Sequence, residues 1–179
     1  MTPLLAMGID PSTSATGIVL LRESGEPRPT LELETEIKVP DLTGIERNRY
    51  IVTRIMETIH EHRPDKIVVE GYSLNMKNAS SVVPLVELGG LLRFMLHIDR
   101  LVWYDPRASE LKKFVVGKGT ADKAQMMMHV LKRWGHESAT SNIADAYGLA
   151  CMGLAQANRL PGINKEMRAI AGAMVSRTN

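Results

Sequence analysis

The sequence predicts an α/β protein built on a five-stranded mixed sheet, three antiparallel strands followed by parallel ones, with helices on both faces. Three observations carry this expectation. Apolar runs of strand length and segments of helical period succeed one another as three strands, helix, strand, helix, strand, helices. The first three runs are joined by short turns, as in an antiparallel meander, whereas helices separate the later ones, as parallel pairing requires. The 179 residues, 44% hydrophobic and 23% charged, suffice for one domain with a sizeable core.

The elements follow in order. "LLAMGID" (4–10) is an apolar run ending at a turn, hence a buried strand. Pro11, Ser12 and Thr13 turn the chain into "TGIVLLRE" (16–23). "TLELETEIKV" (30–39) sets Leu31, Leu33 and Thr35 against Glu32, Glu34 and Glu36, the alternation of a strand with one wet face. Thr43 and Glu46 have the spacing of a capping box. Ile45, Ile51, Val52, Ile55, Met56 and Ile59 then form a helical stripe that Pro64 stops. "KIVVEGY" (66–72) is a second buried strand. Residues 83–98 read as a helix with Pro84 in its first turn, where a missing N–H costs least. "RLVWYDP" (100–106) is the fifth strand, and a short helix runs from Arg107 to Val115. Gly117 and Gly119 flank Lys118 in a loop. Thr120 caps a helix with Ala124, Met127, Met128 and Leu131 on one face, and Gly135 ends it. Asn142 to Ala157 is an alanine-rich helix suited to packing on the sheet. Residues 1–160 form the domain; 161–179 are expected as a basic, loosely held tail.

Composition narrows the function classes. A single cysteine, Cys151, excludes an internal disulfide framework and a thiolate zinc site. No stretch has the roughly eighteen apolar residues of a spanning helix, and the N-terminus lacks a signal-peptide pattern. The expectation is a soluble protein of the cytoplasm. Net charge is only +2, but its distribution is uneven. Residues 23–46 are acidic; residues 93–133 are basic, with Arg93, Arg100, Arg107, Lys112, Lys113, Lys118, Lys123, Lys132 and Arg133. Such asymmetry fits a side facing a polyanion, and it equally fits solvated helix faces.

Three carboxylates stand in apolar surroundings. Asp10 closes the first strand in "MGIDPSTSATG", Glu70 closes the fourth in "IVVEGYS", and Asp145 interrupts the last helix in "SNIADAYGLA". Each alone has an ordinary reading: a turn-initiating Asp, a solvated strand end, a first-turn acid favoured by the helix dipole. Together they are costly without a cation, because burial and mutual repulsion both oppose their charge. A divalent ion with oxygen ligands, Mg²⁺ or Mn²⁺, resolves this.

These blocks resemble the RuvC family of Holliday junction resolvases, members of the RNase H-like superfamily. "GIDPSTSATG" resembles the first block and "KIVVEGYSLNMKNASS" the second. "YDPRASELKKFVVGKGTADKAQM" resembles the stretch with the basic loop and helix facing DNA, and "NIADAYGLA" the closing block. Together they span most of residues 7–150, and the third is the most specific. The resemblance implies an RNase H-like fold and paired nicking of four-way junctions and other branched DNA by two-metal hydrolysis. Asp10, Glu70 and Asp145 would be the catalytic metal ligands. It also implies two Mg²⁺ ions per subunit, with Mn²⁺ substituting, and products with 5′-phosphate and 3′-hydroxyl ends.

Two positions depart from the family pattern. Where members often carry Asp or His three residues before the last acid, this chain has Asn142. Residues i and i+3 share a helix face, so Asn142 is expected to reach the metal through its carbonyl oxygen or a water. Where members often place a base-stacking aromatic three residues after the second acid, this chain has Ser73, with Tyr72 one residue earlier as its substitute. Short spacings and these departures suggest a phage-type branch, acting in a bacterial or phage-infected cell.

The resemblance also assigns partners. Lys112, Lys113, Lys118, Lys123 and Arg107, with Tyr72 and Ser73, would contact DNA, Lys118 nearest the scissile phosphate. A two-fold junction suits a symmetric homodimer, with Leu85, Leu88, Gly89, Leu92 and Met95 as its interface, although the same apolar face equally suits packing in the chain's own core. No membrane and no nucleotide cofactor are expected. Other readings stay open. A non-catalytic junction-binding module would share the fold, and another RNase H-like nuclease would share the acids. An actin-like or sugar-kinase ATPase also opens with Gly-Ile-Asp, but it needs two lobes and a second phosphate loop.

Overall fold

The computed structural model describes residues 2–72 and 79–177. Its strands are β1 (Leu5–Asp10), β2 (Ala15–Arg22), β3 (Thr30–Lys38), β4 (Lys66–Val69), β5 (Trp103–Tyr104) and β6 (Ser176–Arg177). The helices are α1 (Gly44–His62), α2 (Ala79–Ile98), α3 (Ala108–Val116), α4 (Lys123–Trp134), α5 (Ser141–Gln156) and α6 (Lys165–Gly172). The sheet order is β3-β2-β1-β4-β5-β6. β1, β2 and β3 form the antiparallel meander, β4 and β5 join in parallel, and β6 closes the edge antiparallel to β5.

The sheet therefore has six strands where five were expected. The sixth is a two-residue pairing of Trp103 and Tyr104 with Arg177 and Ser176, too short to leave a periodic signal. The segment after Pro161 was expected to be loosely held, yet it forms α6 with Met167 and Ala171 buried. Among the described residues no helix is long and apolar enough to cross a membrane.

Strand alternation divides the core in two. Leu5, Met7 and Ile9 of β1, Ile18 and Leu20 of β2, and Ile67 and Val69 of β4 pack under α1 and α2. Ala6, Val19, Leu21 and Val68 face the other way, against α3, α4 and α5. On that second face α5 lies directly on the sheet. A Cβ at Gly8 would run into the backbone of Ala146 and Ala150, and one at Gly17 into the Asn142 carbonyl. Glycine is required at both positions for this close approach.

Several local expectations are corrected. Thr43 starts α1 without a side-chain cap, and Glu46 instead bonds Arg49 at 2.9 Å. Ile45 is exposed, so the buried stripe of α1 begins at Asn48. The cap of α4 is Asp122, not Thr120. Its carboxylate accepts from Gln125 N at 2.8 Å while the Gln125 side chain accepts from Asp122 N at 3.1 Å. The buried face of α4 also differs from the expected one: Met126, Val130 and Trp134 are buried, while Met128 and Leu131 are exposed. β5 is confined to two residues. Arg100 leaves α2 with a left-handed φ of 56°, and Pro106 has no N–H to extend the ladder. α2 begins at Ala79, which leaves Pro84 inside the helix rather than in its first turn.

Candidate active site

Strand parity brings two of the three acids together. Counting from Ala6 and Gly8, Asp10 points to the α5 face of β1. Counting from Val68, Glu70 points to the same face of β4. Ile9 pairs with Val69 in the parallel ladder, and Glu70 N donates to Ile9 O at 2.9 Å, so the acids follow as neighbours. Asp145 precedes Ala146, the residue whose carbonyl sits over Gly8. The close approach of α5 thus lowers the third acid onto the first two. Ligand oxygens of Asp10, Glu70 and Asp145 all lie within 4.8 Å of one another.

This cluster is electrostatically strained. Burial raises the Asp10 pKa well above the usual carboxylate range, and the Glu70 and Asp145 charges add to the rise. Glu70 is pushed up to about 7 by burial and then by the Asp145 charge. Asp145 is pushed up to about 6 by burial, against the pull of Lys112 and Lys123. Asp145 Oδ1 is buried with no hydrogen-bond partner. Three converging carboxylates and an orphaned carboxylate oxygen are a donor set for a hard divalent cation.

The expected cations divide into groups. Lys112 on α3 lowers the pKa of Glu70 and Asp145, and Lys123 at the start of α4 lowers those of Asp10 and Asp145. Lys118 is exposed in the turn between α3 and α4. Lys113 points toward α6, where its Nζ meets Glu166 Oε1 at 3.1 Å. Arg107 precedes α3, and its N–H donates to Glu110 at 2.7 Å.

Asn142 does share a helix face with Asp145, but its amide nitrogen is taken. Nδ2 donates to Ala15 O at 2.8 Å and to Glu36 Oε1 at 3.0 Å. Both partners are acceptors, which fixes the amide orientation and leaves only Oδ1 for a cation or water. Glu36 Oε1 also accepts from Thr140 Oγ1 at 2.7 Å. Sequence reasoning missed this role of Glu36, since one Glu among three in an alternating strand carries no distinguishing signal.

Tyr72 is 37% exposed, two residues beyond Glu70. Ser73 lies outside the described residues. Of the expected interface residues, Leu88 and Leu92 are fully buried in this chain's own core. Gly89 is buried beneath the Tyr72 ring; a Cβ there would stand 2.6 Å from Tyr72 Cε1. Leu85 and Met95 are partly exposed. Among the described side chains, the large apolar ones α2 leaves open are Val83, Val86, Phe94 and Ile98, with Gly90 between them.

Comparison with known proteins bears on the same residues. The family model for crossover junction endodeoxyribonuclease RuvC matches residues 6–152, a span holding all three acids. The crossover junction endodeoxyribonuclease RuvC of Vibrio vulnificus (strain CMCP6) is 33% identical over 178 residues, 96% of this chain and 95% of that one. The solved structure of Thermus thermophilus RuvC superposes with a TM-score of 0.71 at 20% identity, covering 87% of this chain and 98% of that chain. T. thermophilus RuvC in complex with Holliday junction substrate gives 0.64 at 22% identity, covering 82% and 90%. The two structures speak to the fold, which is the RNase H-like one expected. The sequence matches speak to descent: this chain belongs to the crossover junction endodeoxyribonuclease RuvC family.

Proposed function

We propose that the protein is a metal-dependent endonuclease that resolves four-way DNA junctions by paired nicks and also cuts other branched DNA. The observation that carries this reading is the convergence of Asp10, Glu70 and Asp145 around an unpartnered buried oxygen, inside the span matched by the RuvC family. A solved relative is described in complex with Holliday junction substrate, which supports the choice of DNA.

Asp10, Glu70 and Asp145 would hold two Mg²⁺ ions, for which Mn²⁺ substitutes. When bound, such a pair supplies an activated water and charge stabilisation for the leaving oxygen. The chain's own residues do the rest. Asp10, which feels the charges of both Glu70 and Asp145, would contribute to holding both ions. Lys112 and Lys123 offset the negative cluster, so a DNA phosphate can approach it. Lys118 and Arg107 extend the basic surface, and Tyr72 offers a stacking face to an opened base.

Two sites related by a two-fold axis would match the two scissile strands of a junction. The homodimer contact is assigned to Val83, Val86, Gly90, Phe94 and Ile98 of α2, flanked by Leu85 and Met95. Beside this stripe lies a groove between α1 and α2 lined by Val52, Met56, Leu91 and Met95. The engaged Asn142 amide favours a second reading, a junction-binding module with a weakened metal site.

One experiment separates these. Labelled four-way junction and linear duplex are incubated with the protein and Mg²⁺ or Mn²⁺, with Asp10→Asn and Glu70→Gln in parallel. Cleavage of the junction alone, lost in both variants, is expected. A gel shift without cleavage selects the module, and undiminished cleavage by either variant refutes the metal-site assignment.

A further inference from the structure

Arg93 is an isolated cation in the apolar stretch "GGLLRFMLHI" of α2, and its side chain is only 14% exposed. A charge buried on an otherwise apolar helix is costly unless its geometry is used. Nη2 donates to Glu70 O at 3.1 Å, and Nη1 donates to Gly89 O at 3.1 Å. The guanidinium carbon lies 4.3 Å from the centre of the Tyr72 ring. Nε stands 3.7 Å from Asp105 Oδ2, too far for a hydrogen bond.

These contacts converge on one peptide plane. The Glu70 carbonyl and the Gly71 N–H belong to the same rigid unit. Arg93 holds its oxygen, and Gly71 N donates to Pro106 O at 2.7 Å on the opposite side. Glu70 N is itself bound to Ile9 O at 2.9 Å. The backbone that carries the Glu70 carboxylate is therefore held on both sides. The next side chain, Tyr72, has one face over the same guanidinium and its Cε1–OH edge against the bare Cα of Gly89.

We propose that Arg93 is a positioning residue of the nuclease centre. One side chain from the helix assigned to dimer contact sets both the Glu70 stem and the Tyr72 ring, and so links metal binding to the aromatic that faces DNA. The proposal rests on the nuclease reading above. It requires the planar fork of arginine, because a lysine ammonium on a flexible stem does not hold two carbonyls and cover a ring at once.

The test uses the full chain with Arg93→Met and Arg93→Lys. Mn²⁺ affinity is measured without DNA by paramagnetic resonance of the free ion. Single-turnover cleavage is measured on a junction carrying 2-aminopurine at its exchange point. Both variants should bind Mn²⁺ several-fold more weakly, and kcat should fall by roughly tenfold to a hundredfold, the scale of a misplaced group. The 2-aminopurine signal of base opening should fall in the same variants. Millimolar guanidinium should restore part of the rate to Arg93→Met only.

The inference is overturned if either variant keeps the parent's Mn²⁺ affinity and rate. It is equally overturned if the rate falls only in step with melting temperature, with no change in Mn²⁺ affinity or fluorescence. A parent that binds Mn²⁺ but cuts no junction overturns the nuclease reading instead, and the Mn²⁺ comparison still decides the role of Arg93.

Discussion

Glu70→Gln is expected to abolish cleavage and at the same time make the metal-free protein more stable. The folded-state pKa of Glu70 is about 7, against 4.5 for an ordinary glutamate, because the carboxylate is buried and faces Asp145. Between those values the folded chain keeps a proton that the unfolded chain has released. The contribution of this group to stability is therefore full below pH 4.5 and is lost as pH rises to about 7. The difference corresponds to about 3 kcal/mol at most, and partial solvation lowers it to about 1–3 kcal/mol. Glutamine carries no charge and escapes the penalty. For a chain of this size the gain is a melting temperature higher by roughly 3–10 °C at pH 8 in chelator. At about pH 4 Glu70 of the parent is mostly protonated in both the folded and the unfolded state, and the two proteins should melt nearly together. Circular dichroism melts at both pH values, with EDTA and with saturating Mg²⁺, make the measurement. Mg²⁺ should raise the parent's melting point and raise the variant's little. A variant that melts below the parent at pH 8 in EDTA would refute the strained-cluster reasoning.

Other outcomes follow from the same geometry. Mg²⁺ binding should strengthen as pH rises through about 6 and about 7, where Asp145 and Glu70 give up their protons, and calorimetry in two buffers should show protons released on binding in that range. Asn142→Ala removes the amide's bonds to Ala15 and Glu36 and should cost about 1–2 kcal/mol in urea unfolding. Its Mg²⁺ affinity should change less than that of Asp145→Asn; a larger loss would make Asn142 a ligand after all. Lys112→Ala and Lys123→Ala should each flatten the salt dependence of junction binding by about one unit of log–log slope, whereas Lys113→Ala, engaged with Glu166, should leave it nearly unchanged.

Much of the site was legible because it breaks a pattern. A carboxylate at the end of an apolar strand, as at Asp10 and Glu70, has no place in a core, and strand parity then puts both on one face. The six-stranded order adds to the expected sheet only a two-residue edge. What stayed illegible depends on competition between partners. Asn142 has the helical spacing of a ligand, but Glu36, remote in sequence, claims its amide. Thr43 and Thr120 have cap chemistry, yet Thr43 makes no cap bond and Asp122, two residues later, caps better than Thr120. α2 is apolar on nearly every side, so no polar stripe announces which face turns inward. Leu88 and Leu92 go to the core, while Val83, Val86, Phe94 and Ile98 remain outside. In the sequence Arg93 is one of nine lysines and arginines in 93–133, and only the folded chain shows that it reaches Glu70 and Tyr72.

The contact of α5 with β1 has a consequence for how this site can vary. At Gly8 the helix and strand meet backbone to backbone, with no side chain between them to be trimmed or enlarged. The gap between Asp10 and Asp145 is thus set like the jaws of a calliper, by the main chain itself. Core substitutions elsewhere can repack without altering it, while any side chain at Gly8 forces the jaws apart. Changes in metal preference are therefore open to this chain through the identity of the acids and their neighbours, such as Asn142, and closed through their spacing.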